Sequence, residues 1–215
     1  MVESSDNTKV SKEKAILEAA EREFLTKGFA GARTVSIAEA AGVTHAMLHY
    51  YFRTKEHLFE RILDDKMRIM GESVLSAFGQ PGLPLEERIR GGVEQHFDFI
   101  ADNPDLPRFI VNEVFSHPER YAAMQTRLSF MANRLVLDLQ RELDAAAARG
   151  ELETLDVRML ILDIISLNIF PFIAYPIIEP VLGYAAEGRE QFFSQRRKEH
   201  VEAVSYTHLR AHETL

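Results

Sequence analysis

The chain has 215 residues, 46% of them hydrophobic, which is enough apolar material for a substantial core in one domain or two closely packed ones. It contains no cysteine, which excludes a disulfide framework and a thiolate metal site and fits a reducing cytoplasm. The net charge of −8 is uneven: residues 1–55 carry eight Lys/Arg against seven Asp/Glu, whereas residues 56–215 carry 17 against 26. Acidic charge is thus concentrated in the C-terminal part, which need not touch phosphate; a balance of +1 in the N-terminal part is weak for counterion-driven affinity and neither supports nor excludes a nucleic-acid partner.

The first residues, MVESSDNTKVSKEK, are polar and lack an apolar h-region, so no signal peptide is expected, and residues 1–10 read as a disordered arm. Ser11 can cap a helix to about Lys27, in which Ile16, Ala20 and Phe24 recur every four residues, and Gly28 ends it. Val35–Ala41 is a short helix with Ile37, Ala38 and Ala41 on one face. Gly42 supplies the left-handed conformation that closes it, and Thr44 caps the next helix. That helix turns Leu48, Tyr51 and Phe52 inward and His45, Ala46, His49 and Tyr50 outward. Packing gives no reason for two outward imidazoles and a phenol on so small a helix; reading base edges in a DNA major groove does. Tyr50 borders the two faces, so burial and phosphate contact through its hydroxyl both remain open. His45 and His49 also have the spacing of a zinc pair. However, Ala46 stands where a metalloprotease helix needs glutamate, and no third ligand is near.

From Lys55 a helical pattern continues through Leu58, Phe59, Ile62, Leu63 and Met67 to about Phe78. Residues 79–84, GQPGLP, form the clearest break. Leu85, Ile89, Val93, Phe97 and Ile100 mark a further helix that stops near Asn103-Pro104. Pro107 opens another with Phe109, Ile110, Val114 and Phe115. A long helix then carries Tyr121, Met124, Leu128, Met131, Leu135 and Leu139 to about Gly150. Asp156 can cap a helix to about Ala174, which Pro171 should kink or restart, and a last helix begins near Arg189 with Phe192, Phe193 and Val201. Strand-length alternation and internal repeats are missing, so the expected class is all-α. The uncharged run Ile164–Ile178 is short of the roughly 20 residues a membrane span needs and reads as a buried interface helix. Val204–Leu215 breaks the helical pattern and reads as a non-native tail replacing a truncated final helix. No catalytic pair, phosphate loop or nucleophile elbow is present, which leaves an enzyme reading without support, and no cofactor or metal is expected.

The stretch GFAGARTVSIAEAAGVTHAMLHYYFRTKEHLF resembles the N-terminal signature of the TetR family of bacterial transcriptional regulators, the likeness covering roughly residues 11–60. The resemblance implies a DNA-binding domain over residues 1–55, a ligand-binding and dimerisation domain over 56–203, and a tail over 204–215. It makes Thr44–Phe52 the recognition helix and Lys55 a phosphate contact. Arg33, Thr34, Val35, Thr44, His45, Ala46, Met47, His49, Tyr50 and Lys55 are the candidate DNA-binding residues, with His45 and His49 reading bases and Thr34, Thr44, Tyr50 and Lys55 positioning the backbone. Ala46, His49 and Val35 depart from common choices in the family, so the operator cannot be carried over from relatives. The expected partners are double-stranded operator DNA, a second copy of the chain joined through Asp156–Ala174 and the last helix, and a small apolar or amphipathic effector. An apolar cavity lined by Phe97, Phe109, Met124, Met131 and Phe170, with Asn168 as a polar group, would take that effector. Ser166, Asp163 and His117 are either further pocket groups or hydrogen-bonded core. A helical ligand-binding or scaffolding bundle without DNA binding is the alternative, against which Thr44, Tyr50 and Lys55 argue.

Overall fold

A computed structural model describes residues 3–78, 82–184 and 188–205, all helix and connecting turn without a strand among them. The helices are α1 (Glu3–Gly31), α2 (Thr34–Ala40), α3 (His45–Phe52), α4 (Lys55–Phe78), α5 (Leu85–Asp102), α6 (Leu106–Ile110), α7 (Pro118–Ala148), α8 (Val157–Leu182) and α9 (Arg189–Val204); a π-helical turn, Val111–Phe115, continues α6. The chain forms two compact units whose divide falls between Ile69 and Met70, inside α4.

In the first unit α1 begins at Glu3 rather than at Ser11, because no glycine or proline interrupts the chain before Gly28. Gly28 does break the helix, with φ 69°, and one more turn follows to Gly31. Ile16, Ala20 and Phe24 of α1, Ile37 and Ala38 of α2, and Leu48 and Phe52 of α3 are buried together with Leu58, Phe59 and Leu63 of α4. Phe24, Phe29 and Phe59 form an aromatic cluster with centroids 5.1–5.9 Å apart. The α2–α3 turn is fixed locally. Gly42 has φ 66°, its N–H reaches Glu39 O at 3.1 Å, and Val43 N–H reaches Ala38 O at 3.0 Å, the paired bonds of a Schellman closure.

The second unit is built on α5, α7, α8 and α9. Ile89 and Val93, Leu139 and Leu143, Leu160 and Ile164, and Val201 and Val204 form its buried cluster. Gln140 on α7 holds the following connection: its side chain donates to Leu155 O at 2.9 Å and accepts from Val157 N at 2.8 Å. Two bidentate ion pairs, Arg88–Glu142 and Arg197–Asp98, tie α5 to α7 and α9. The helix capped by Asp156 passes Ala174 and stops only at Gly183, where φ is 81°. Pro171, Pro176 and Pro180 each lack an N–H, yet none ends it. Gly183 is the first later residue that takes up a left-handed cap without penalty. Of the tail expected over 204–215, Val204 closes α9 and residues 206–215 lie outside the described residues, as do residues 79–81 of the expected break.

One polar chain crosses this core. Asn168, on α8, is fully buried and donates to Val93 O at 3.0 Å. The same nitrogen lies 3.1 Å from His96 Nδ1, and the amide oxygen lies 3.0 Å from His200 Nδ1. Arg196 closes the chain on His200 Nε2. Burial pushes the His96 imidazole down to about 4. Burial and then the Arg196 charge do the same for His200. Both rings are therefore neutral in the fold at pH 7 and protonate more readily in the unfolded chain, near 6.5. Their contribution is fully present above about pH 6.5 and is lost as the pH falls through about 4. We expect the melting temperature to be level above about pH 6.5 and to drop steadily between about pH 6.5 and 4. His96→Gln should flatten part of the drop; a profile unchanged by the substitution would remove His96 from the cause.

Candidate DNA-binding site

Two short helices carry every candidate from Arg33 to Tyr50. Thr44 caps α3 by accepting Met47 N–H at 3.2 Å, which commits its hydroxyl to the helix start. Leu48 and Phe52 anchor the inner face, and His45, Ala46, His49 and Tyr50 are exposed on the outer one, Tyr50 at 73%. Tyr51 is half-buried and Met47 partly so. Tyr50 thus stands on the outer face, with its ring 5.5 Å from that of Tyr51.

The start of α2 meets the start of α3 directly. Thr34 Oγ1 lies 3.0 Å from His45 Nε2, so Thr34 holds the imidazole across the turn, and Arg33 and Val35, both exposed, flank that bridge. The His45 and His49 rings sit edge to face at 4.4 Å. His49 Nδ1 lies 2.9 Å from Arg53 O. A carbonyl only accepts, so Nδ1–H donates, and the tautomer with that proton has Nε2 as its acceptor. Arg53 ends the helix with φ 55°, a left-handed conformation that a non-glycine residue adopts at some cost, and its carbonyl is aimed back at His49 in that geometry.

Two residues have roles here that their positions in the sequence do not disclose. Lys55 is partly buried; its ammonium donates to Phe29 O at 2.9 Å and Ala32 O at 3.2 Å and lies 4.4 Å from the Phe29 ring centre. Two of its three N–H bonds thus tie the end of α1 to the start of α4. Glu23 accepts from Lys27 Nζ at 2.7 Å and from Arg33 N–H at 3.3 Å, which steadies the entry to α2. The Lys27 hydrogen bond holds its carboxyl below the usual range. The Glu23–Lys27 spacing is visible in sequence as an i, i+4 pair, but the reach to Arg33 is not.

The family model described as "Bacterial regulatory proteins, tetR family" matches residues 16–62, and "Tetracyclin repressor-like, C-terminal domain" matches residues 86–204. The chain belongs to the TetR family. The HTH-type transcriptional regulator YdgC of Bacillus subtilis is 29% identical over 140 residues, which span 63% of this chain and 72% of YdgC. The HTH-type transcriptional regulator RutR of Escherichia coli is 35% identical over 106 residues, about half (49%) of each chain. The fatty acid degradation regulator FadR from Bacillus halodurans superposes with a TM-score of 0.66 at 19% identity, over 89% of this chain and 97% of that one. As a TetR-family member the protein is a DNA-binding transcriptional regulator, and α2–turn–α3 is its helix-turn-helix.

The second unit of this regulator contains an apolar cavity of 230 Å³ between residues of α4, α5, α7 and α8. None of the described residues expected to line a cavity lines this one. Phe97 is buried against Phe172, Phe193 and His200, one residue past the cavity-lining His96, because the next position on a helix faces about 100° away. Phe109 and Met124 are buried outside the cavity lining, and Asn168 belongs to the polar chain. Phe170 points outward, 66% exposed, and the Met131 side chain lies outside the described residues. Ser166 bonds back to Leu162 O, and His117 to Glu113 O, so both are occupied locally.

Lys55→Ala removes two charge-assisted bonds to helix-end carbonyls. We expect it to lower unfolding stability by about 1.5–3 kcal/mol in the absence of DNA. Urea denaturation of the free protein measures this; an unaltered midpoint would assign Lys55 to DNA contact alone.

Proposed function

We propose that the protein is a cytoplasmic, effector-responsive repressor that binds a palindromic operator as a homodimer and catalyses no reaction. The DNA surface comprises Arg33, Thr34, Val35, Thr44, His45, Ala46, Met47, His49, Tyr50 and Lys55. The observation that carries this reading is the Thr34–His45 bridge, which presents the starts of both short helices on the side where His49 and Tyr50 are exposed. In this reading α3 enters the major groove, and His49 Nε2, an acceptor, faces a base-edge donor, which is cytosine N4 or adenine N6. We expect His49→Ala to cost about 1–3 kcal/mol at one base pair and to abolish the preference for cytosine or adenine there. Binding measured over a library of operator variants decides it. A uniform loss over all variants would move His49 from base reading to positioning.

Dimerisation is supported by α8. Leu162, Ile165, Phe170, Ile177 and Val181 are exposed large side chains that fall on one broad face of the helix, opposite the face holding Leu160, Ile164, Asn168 and Tyr175. An apolar surface of that kind marks an association site. By length and composition alone α8 could also cross a membrane. Its second face is packed on α5 and α9 through a hydrogen-bonded amide, which favours a second copy of the chain as the cover. A two-fold pairing would set the recognition helices about 34 Å apart, and an effector bound in the second unit would favour the arrangement that misses this spacing. The double substitution Leu162→Glu, Ile177→Glu should give a folded monomer in sedimentation and reduce operator affinity at least about tenfold. A dimer that survives both changes would exclude this face.

A further inference from the structure

Among the described residues the cavity in the second unit has one polar side chain on otherwise hydrocarbon walls, and the core fixes what that group offers. Leu135, Ile161 and Ile164 line it, Gly71 and Gly92 contribute no side chain, and His96 supplies the polar edge. The tautomer of His96 follows from a chain of bonds that leaves no choice. The Val93 carbonyl only accepts, so the Asn168 nitrogen, not its oxygen, must face it. That nitrogen's second hydrogen points to His96 Nδ1, which must then accept. At the other end, Arg196 only donates, so His200 Nε2 accepts and His200 Nδ1–H donates to the Asn168 oxygen. Both ends give the same amide orientation. The His96 proton therefore sits on Nε2.

His96 is 6% exposed, and its Nε2 has no partner among the described residues. No side-chain nitrogen or oxygen among them is both fully enclosed and unpartnered, so this atom keeps some exposed surface, and His96 is a wall of the cavity. A buried N–H facing an empty apolar space forgoes a hydrogen bond, which a ligand acceptor would restore. We propose that the cavity binds a neutral, mainly aliphatic carbonyl compound whose oxygen accepts from His96 Nε2–H and whose hydrocarbon fills the remaining space. A carboxylate is disfavoured because no lysine or arginine among the described residues lines the cavity and burial holds His96 uncharged at pH 7. An alkane would fill the space and leave the N–H unmet. Leu75 and Leu128 line the cavity yet remain 42% and 39% exposed, and they mark the way in.

This inference rests on the effector reading above, and the two fail separately. Binding of 2-octanone, octanoate and octane to the full-length protein at pH 7.5, followed by calorimetry and thermal shift, tests the chemistry. The ketone should bind about five- to tenfold more tightly than either comparator, the increment of one hydrogen bond. His96→Leu should erase the preference for ketone over octane, and His96→Gln, which retains an N–H donor, should keep it. Nitrogen-15 shifts of His96 in the unaltered protein should report the Nε2–H tautomer and move on ketone addition; they decide the matter even if His96→Leu does not fold. An Nδ1–H tautomer, tighter octanoate binding, or a ketone preference that survives His96→Leu would overturn the proposal. Tight ketone binding without any change in operator affinity would leave the site intact and sink the effector reading.

Discussion

A carboxamide buried in an apolar helix costs several kcal/mol unless both its ends are satisfied. Asn168 meets that condition by bonding to α5 through Val93 and His96 and to α9 through His200. The three helices can therefore pack in only one register. A one-residue rotation of α8 would strand the amide and carry Ile164 out of the core. The same rotation would bury Phe170, so the polar chain also decides which apolar side chains of α8 face outward. The outward apolar face of α8, and the edge of His96 at the cavity, are two consequences of satisfying one side chain.

The helix-turn-helix solves a different problem. Helices of seven and eight residues are too short to be stable alone, so the turn and caps must hold them. Gly42 closes α2 with two backbone bonds and Thr44 opens α3 with one from its side chain. Lys55 then ties the end of α1 to the start of α4. The outer residues contribute little to folding, and in the proposed reading they serve recognition. Even there the side chains are not loose: Thr34 holds His45, and the Arg53 carbonyl holds His49. Fixing an imidazole before it meets a base lowers the ordering entropy lost on binding.

The TetR-family C-terminal match accounts for the second unit's class of fold, but its chemistry comes from a few side chains. The cavity wall is made of residues spread over α4, α5, α7 and α8, so two regulators sharing this fold can present different walls to different molecules. Likeness to a fatty acid degradation regulator at 19% identity carries the fold and no ligand.

By itself the sequence determined whatever depends on neighbours within a turn or two. Gly42, Thr44, the inward Leu48 and Phe52, and the outward His45 and His49 were all legible, because helix phase and capping are relations among residues three to five apart. Helix starts at Leu85, Asp156 and Arg189 were legible for the same reason. Only the tertiary structure decided the rest. Lys55 finds carbonyls 26 and 23 residues away, and Asn168 finds Val93 and His96 at separations of 75 and 72. The cavity beside Gly71 and Gly92 was not legible, because hydrophobicity does not locate the place where packing leaves space. Periodicity tells which face of a helix is apolar. It does not tell which neighbour covers that face, because that depends on where every other helix comes to lie.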